Sequence, residues 1–185
     1  MSRLGKRPID LPDDVEVKVN NGEVIVSGPE GELSQQISPG ITLDVNSDTV
    51  QVKRRDDSKQ QKSYHGLMWS LINNMIDGVT KKFAKTLVLN GLGYRAQLRG
   101  DLIHMELGFS NPVQVDIPDH IEVEIPNRTT IKVTGIDKQK VGQFAAQLRY
   151  LRDPDPYNQK GIKYEDEHIR QKVGKTVGGE EALGE

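Results

Sequence analysis

The sequence predicts an α+β fold of two tandem homologous modules, each a mostly antiparallel sheet packed against one helix, followed by an extended C-terminal segment. Three observations predict it. Short apolar–polar alternations punctuated by turn residues fill most of the chain, which is the pattern of half-buried strands. Twice, that period of two gives way to one stretch of helical period. The residues leading into the two helical stretches also match: Val50 and Val52 precede Asp57-Ser58-Lys59 much as Ile131 and Val133 precede Asp137-Lys138-Gln139. Several strands and then one helix, twice over, is the mark of a duplicated unit. The modules are expected at residues 1–82 and 83–152, with the junction near Val79 to Ala84 and the C-terminal segment over 153–185.

In chain order, Val15, Val17 and Val19 alternate with polar residues, and Asn20-Asn21-Gly22 separates them from Val24-Ile25-Val26. An Asn-Gly pair between two such runs is a hairpin signal, because both residues tolerate positive φ. Strands follow at Leu33 to Ile37, Ile41 to Val45 and Val50 to Lys53. Leu67, Met68, Leu71, Ile72, Met75 and Ile76 then fall on one helical stripe, with Asp57 or Ser58 placed to cap its start and Gly78 placed to stop it. The second half runs through strands at Lys85 to Leu89, Tyr94 to Leu98, Leu102 to Leu107, Val113 to Ile117, Ile121 to Ile125 and Thr130 to Thr134. A helix after Asp137 buries Val141, Phe144, Ala145, Leu148 and Leu151.

Composition narrows the function. Two modules within 185 residues leave each core near the lower limit for self-sufficiency, so close packing is expected. With three Phe, five Tyr and one Trp, aliphatic residues must fill those cores. No cysteine is present, which removes disulfides, thiolate metal sites and cysteine nucleophiles. The N-terminus is charged without an apolar stretch behind it, unlike a secretory signal, and no apolar run is long enough to span a membrane. A cytoplasmic protein without membrane partners is expected. The net charge of −2, averaged over the chain, speaks against a nucleic-acid partner. The charges are segregated, however: Arg3, Lys6 and Arg7 stand together without an acid, whereas Glu180, Glu181 and Glu185 close the chain without a base. Local patches set the field that a phosphate backbone meets.

Catalytic signals fail on inspection. Gly91-Leu92-Gly93-Tyr94-Arg95-Ala96 follows Leu87-Val88-Leu89 and fits a dinucleotide fingerprint formally, with Asp116 at the distance of a ribose contact. That chemistry needs a helix to begin at the glycines, and here the period-two alternation continues. His65, His104, His120 and His168 are dispersed without ligand spacing; His104 and Glu106 share one strand face, where a cross-strand polar pair is expected. Glu165-Asp166-Glu167 is expected to be a solvated acidic run, partly neutralised by Lys163, Arg170 and Lys172. No enzyme, metal or cofactor is expected.

The chemistry concentrates after the second helix. Between Arg149 and Lys175 stand seven Lys or Arg against five Asp or Glu. Pro154 and Pro156 stiffen the start, Gly161 and Gly174 permit close backbone approach, and Tyr157 and Tyr164 are suited to stacking on bases or ribose. The same features suit an ordinary surface tail with its tyrosines pinned to the core, and the chemistry by itself favours neither.

Pro154-Asp155-Pro156-Tyr157-Asn158-Gln159-Lys160-Gly161-Ile162, with Tyr164, Glu167, Arg170 and Lys172-Val173-Gly174-Lys175, resembles the C-terminal hallmark of the bacterial large-subunit ribosomal protein "L-six" family. The likeness extends to Ser2-Arg3-Leu4-Gly5-Lys6-Arg7-Pro8-Ile9, to Gly28-Pro29-Glu30-Gly31-Glu32-Leu33 and to Gly91 through Ala96. It also takes in Leu107-Gly108-Phe109-Ser110 with Pro112-Val113, and so covers nearly the whole chain in order. The resemblance implies a non-catalytic constituent of the large ribosomal subunit. Such a protein binds large-subunit ribosomal RNA near the sarcin–ricin loop and the stalk base, beside neighbouring ribosomal proteins and close to where translation GTPases dock. Carried over by position, the RNA contacts it implies are Tyr157, Lys160, Gly161, Lys163, Tyr164, Arg170, Lys172 and Lys175, then Arg3, Lys6 and Arg7, then Tyr94 and Arg95.

The chain departs from that family pattern at Asn158 and Gln159, where a Lys and a small residue are usual, at Ser27 and Glu30, and in its acidic end, which is expected to face solvent. Two other readings compete. A non-ribosomal tandem RNA-binding module would need an aromatic sheet motif that neither half carries. A protein-interaction scaffold would bind with almost no salt dependence.

Overall fold

Strands come first and a helix last in each half of the chain. The structure, a computed structural model, describes residues 7–175. The first half contains β1 (Ile9–Asp10), β2 (Glu16–Asn20), β3 (Glu23–Gly28), β4 (Gly31–Gln36), β5 (Ile41–Val45), β6 (Thr49–Arg54) and α1 (Lys59–Lys81). The second contains β7 (Phe83–Asn90), β8 (Arg95–Arg99), β9 (Leu102–Glu106), β10 (Val113–Asp116), β11 (Ile121–Asn127), β12 (Thr130–Gly135) and α2 (Lys138–Tyr150), and β13 (Gly161–Tyr164) follows. The sheets are ordered β1-β6-β5, β2-β3-β4, β10-β9-β8 and β11-β12-β7-β13. This is the duplicated α+β plan that the periodicity predicts. The glycines after β7 lead into strand β8 and not into a helix, so the fingerprint at Gly91 lacks the helix N-terminus that a pyrophosphate requires.

Two compact units result, and neither is one continuous run of chain. The first takes the described chain up to Lys85 together with 117–124 and 132–145; the second takes 86–116, 125–131 and the described chain from Ala146.

Alternation builds the first core. Val17 of β2, Val24 and Val26 of β3, and Val50 and Val52 of β6 are buried, as are Met68, Ile72, Met75, Ile76 and Val79 of α1. Asn21 and Gly22 both take positive φ, 48° and 82°, as a two-residue hairpin turn requires. Ser58 caps α1, its hydroxyl accepting the Gln61 amide at 3.3 Å. Asp137 does the same for α2, accepting the Gln139 amide at 2.8 Å. His65, buried in α1, donates from Nε2 to the Val52 carbonyl (2.9 Å) and accepts from Arg54 at Nδ1 (3.0 Å), which joins the helix to β6.

Several expectations need correction. Gly78 does not stop α1, which runs on to Lys81; a Cβ at Gly78 would stand 2.0 Å from the Ile136 carbonyl oxygen, so the residue marks a close approach inside the helix. The stop is Lys82, at φ 48°, whose ammonium bridges Glu122 at 3.0 Å and Glu30 at 3.1 Å. Leu67 faces outward, half exposed, and Val79 takes the buried place on the stripe instead. The two strands that alternation did not reveal are β1, too short to show a period, and β13, which lies within the supposed tail.

Candidate nucleic-acid interface

The segment after α2 contributes a strand, β13, to the fold. β13 pairs antiparallel with β7, setting Gly161, Ile162, Lys163 and Tyr164 opposite Asn90, Leu89, Val88 and Leu87. Residues directly opposite in a ladder share a face. Ile162 and Tyr164 therefore lie on the side of the buried Leu89 and Leu87, and Ile162 is fully buried. The Ile162 amide donates to the Arg152 carbonyl (2.8 Å) and the Glu165 amide to the Thr86 carbonyl (3.1 Å), which closes both ends of the strand.

Gly161 explains itself within this packing. It is buried at φ +147°, and a Cβ there would stand 2.5 Å from the Pro154 Cα and 2.7 Å from the Asp153 carbonyl oxygen. The close approach expected of a partner's backbone is made by the chain's own. Tyr164 is partly buried, and burial pushes its phenol above the ordinary tyrosine range. Lys163 lies on the opposite strand face, half-buried beside Val88.

Two acids organise the segment. Glu167 was expected among a solvated acidic run, but its carboxylate accepts both the Arg149 Nη2 (2.6 Å) and Nε (2.9 Å), and also the Tyr164 amide (3.2 Å). The hydrogen bonds from Arg149 hold that carboxyl below the usual glutamate range, and Glu167 in turn holds the guanidinium up. Asp155 accepts the amides of Tyr157 (3.1 Å) and Asn158 (3.2 Å), which lowers its own titration and makes the 155–159 turn. The chain then folds back, the Lys172 amide donating to the Pro156 carbonyl at 2.9 Å and the Gln171 side chain to the Tyr157 carbonyl at 3.1 Å.

This arrangement brings Lys172 beside an exposed Tyr157 while Lys160, Arg170 and Lys175 remain exposed along the same segment. Among the described residues, no carboxylate stands in ion-pair contact with Lys160, Lys163, Arg170, Lys172 or Lys175. Elsewhere, Lys18, Lys53, Arg54, Lys82, Arg95, Lys132 and Arg149 are each answered by an acid. Arg95 meets Glu106 at 2.7 Å, a hydrogen bond that draws Glu106 below its ordinary range. Glu106 thus makes the cross-strand polar pair expected on that face, with Arg95 opposite it in the β8–β9 ladder. Tyr94 is buried, its ring against Gly91. Arg7 is exposed in the first unit, its carbonyl accepting the Trp69 indole at 2.8 Å. Arg3 and Lys6 lie outside the described residues, as do Glu180, Glu181 and Glu185.

Sequence reasoning missed the two organisers. Asp155 had a local signal, since Asp-Pro-Tyr-Asn is turn chemistry. The pairing of Arg149 with Glu167 had none, because only folding brings those residues together.

The geometry is that of a scaffold which presents exposed cations and a tyrosine from a strand-anchored segment. The family model described as Ribosomal protein L6 matches residues 11–82 and 90–165. The large ribosomal subunit protein uL6 of Geobacter sulfurreducens is 47% identical over 95% of this chain and 98% of its own. That of Natranaerobius thermophilus is 49% identical over 95% of this chain and 99% of its own. That of Prosthecochloris aestuarii is 43% identical over 96% and 99%. The chain belongs to the ribosomal protein L6 family, and so is a structural, non-catalytic constituent of the large subunit of the ribosome.

Proposed function

We propose that the chain binds large-subunit ribosomal RNA near the sarcin–ricin loop and the stalk base, and there supports the region where translation GTPases dock. In this reading residues 1–82 and 83–152 are the two scaffolding modules and 153–185 is the contact segment, with ribosomal proteins of the stalk base as neighbours. The observation that carries it is the run of exposed cations on an anchored segment. Lys160, Arg170, Lys172 and Lys175 stand exposed there, and among the described residues none of them meets an acid. Unpaired cations on a fixed backbone lose little on meeting phosphates, and they position a protein on RNA without reading its bases. Tyr157 adds a face for stacking; Gly161 and Tyr164 contribute by setting the shape of the segment.

The test is co-sedimentation with large subunits, together with footprinting of the RNA. Replacing Arg170, Lys172 and Lys175 by Gln is expected to lower incorporation and to weaken protection of the sarcin–ricin region. It should also flatten the log–log salt dependence by roughly one per lost phosphate contact. Unchanged incorporation and protection would sink the assignment.

A further inference from the structure

Four loops of the second unit converge at one end. Asn90, the last residue of β7, donates from Nδ2 to the Gln159 carbonyl (2.9 Å), which ties the 91–94 loop to the 155–160 turn. The amides of Leu89 and Ala96, on either side of that loop, donate to the carbonyls of Thr129 (2.8 Å) and Arg128 (2.7 Å), which brings in the turn between β11 and β12. A Cβ at Gly108 would stand 3.1 Å from the Tyr94 ring, so the loop between β9 and β10 borders the same place. There the Arg152 guanidinium lies over the Phe109 ring, 4.9 Å from its centroid.

What this rim exposes is unusual for a surface left to water. Leu92 is 97% exposed, Tyr157 50% and Phe109 45%. The loop that carries Leu92 is braced from beneath: the Tyr94 ring is buried and packs so closely on Gly91 that a Cβ there would stand at 2.9 Å. Around these side chains stand Arg128, Arg152 and Lys160, all exposed. The neighbouring acids are already engaged, Asp155 by the amides of its turn, Asp153 by Arg149 and Glu106 by Arg95.

We propose that this rim extends the RNA contact beyond the run Arg170 to Lys175, in that Leu92 and Phe109 lie against sugars and base edges while Arg128 and Arg152 take flanking phosphates. The inference rests on the reading that the chain binds ribosomal RNA. Charge complementarity selects that partner. An apolar protein surface would force three cations out of water without compensation, whereas the wide, shallow minor groove of folded RNA offers sugars and base edges for contact between two rows of phosphates. The guanidinium over Phe109 is exposed and, among the described residues, meets no acid, so its donors stay available to a phosphate.

Equilibrium binding of the full chain to deproteinised large-subunit RNA, over a range of salt, tests it. Leu92→Ala is expected to weaken binding about tenfold with an unchanged salt slope, the loss of one buried apolar contact. Arg128→Gln should reduce the slope by about one. Both side chains are exposed in the free protein, so both variants should melt like the parent. If both bind like the parent while the Arg170, Lys172 and Lys175 variant binds weakly, the rim proposal falls and the RNA reading stands. If that triple variant also binds like the parent, the RNA reading itself falls. Normal binding of Leu92→Ala to RNA with failure to enter large subunits would assign Leu92 to a protein neighbour and overturn the rim.

Discussion

Glu167 carries two bonds from the Arg149 guanidinium and one from the Tyr164 amide, and so joins the end of α2 to the residues just after β13. Its folded titration lies below the ordinary glutamate range because Arg149 favours the charged form. The sign follows from linkage: a depressed folded value stabilises the protein fully above the unfolded value, and that stabilisation is lost as pH falls through the lower folded one. Glu167→Gln is therefore expected to lower stability near neutral pH by about 1–2 kcal/mol, on the scale of a partly exposed charge-assisted hydrogen bond. It should also flatten the acid limb of a denaturation profile relative to the parent. An acid limb of unchanged steepness in the variant would show that the pair contributes nothing to pH dependence. At this scale the sequence was legible where chemistry is local, as at Ser58 and Asp137, which cap the helices they precede. It carried no sign of the pairing of Glu167 with Arg149, which lies eighteen residues away.

At the scale of elements, α1 sets two physical effects against each other at one residue. Glycine inside a helix is disfavoured by about 1 kcal/mol relative to alanine, so Gly78→Ala would stabilise an isolated helix. In the fold, the added Cβ would stand 2.0 Å from the Ile136 carbonyl oxygen, with Phe83 at 3.1 Å. Backbone cannot yield as a flexible side chain can, so the expected result is a net loss of about 3 kcal/mol, measured by denaturant titration. A variant as stable as the parent would mean that helix propensity prevails at this position. The stripe from Met68 to Ile76 was readable because helical period and burial coincide. The end of the helix was not, since a glycine that terminates a helix and one that admits a neighbouring backbone look alike in sequence.

Over the whole molecule, the fate of the C-terminal segment decides how the protein can be dissected. Ending the chain after Arg152 would remove not only cations but also β13, exposing the β7 edge and the face of Leu87 and Leu89 that Ile162 and Tyr164 cover. Burial of Ile162 alone is worth about 1.5–3 kcal/mol. The truncated chain is expected to melt at a lower temperature and to exchange the β7 amides that face β13 much faster; melting and exchange like those of the full chain would contradict the strand's structural role. Charge substitution, not truncation, is hence the clean probe of RNA contact. By itself the sequence determined the α+β class, the repeated order of strands and helix, the helix starts and the run that holds the exposed cations, because periodicity, capping and motif are properties of neighbouring residues. Only the tertiary structure decided that the C-terminal segment is extended by being paired, that Gly161 serves the chain's own packing, and which cations remain unpaired. Those outcomes depend on residues far apart in sequence meeting in space, and local pattern carries no record of such meetings.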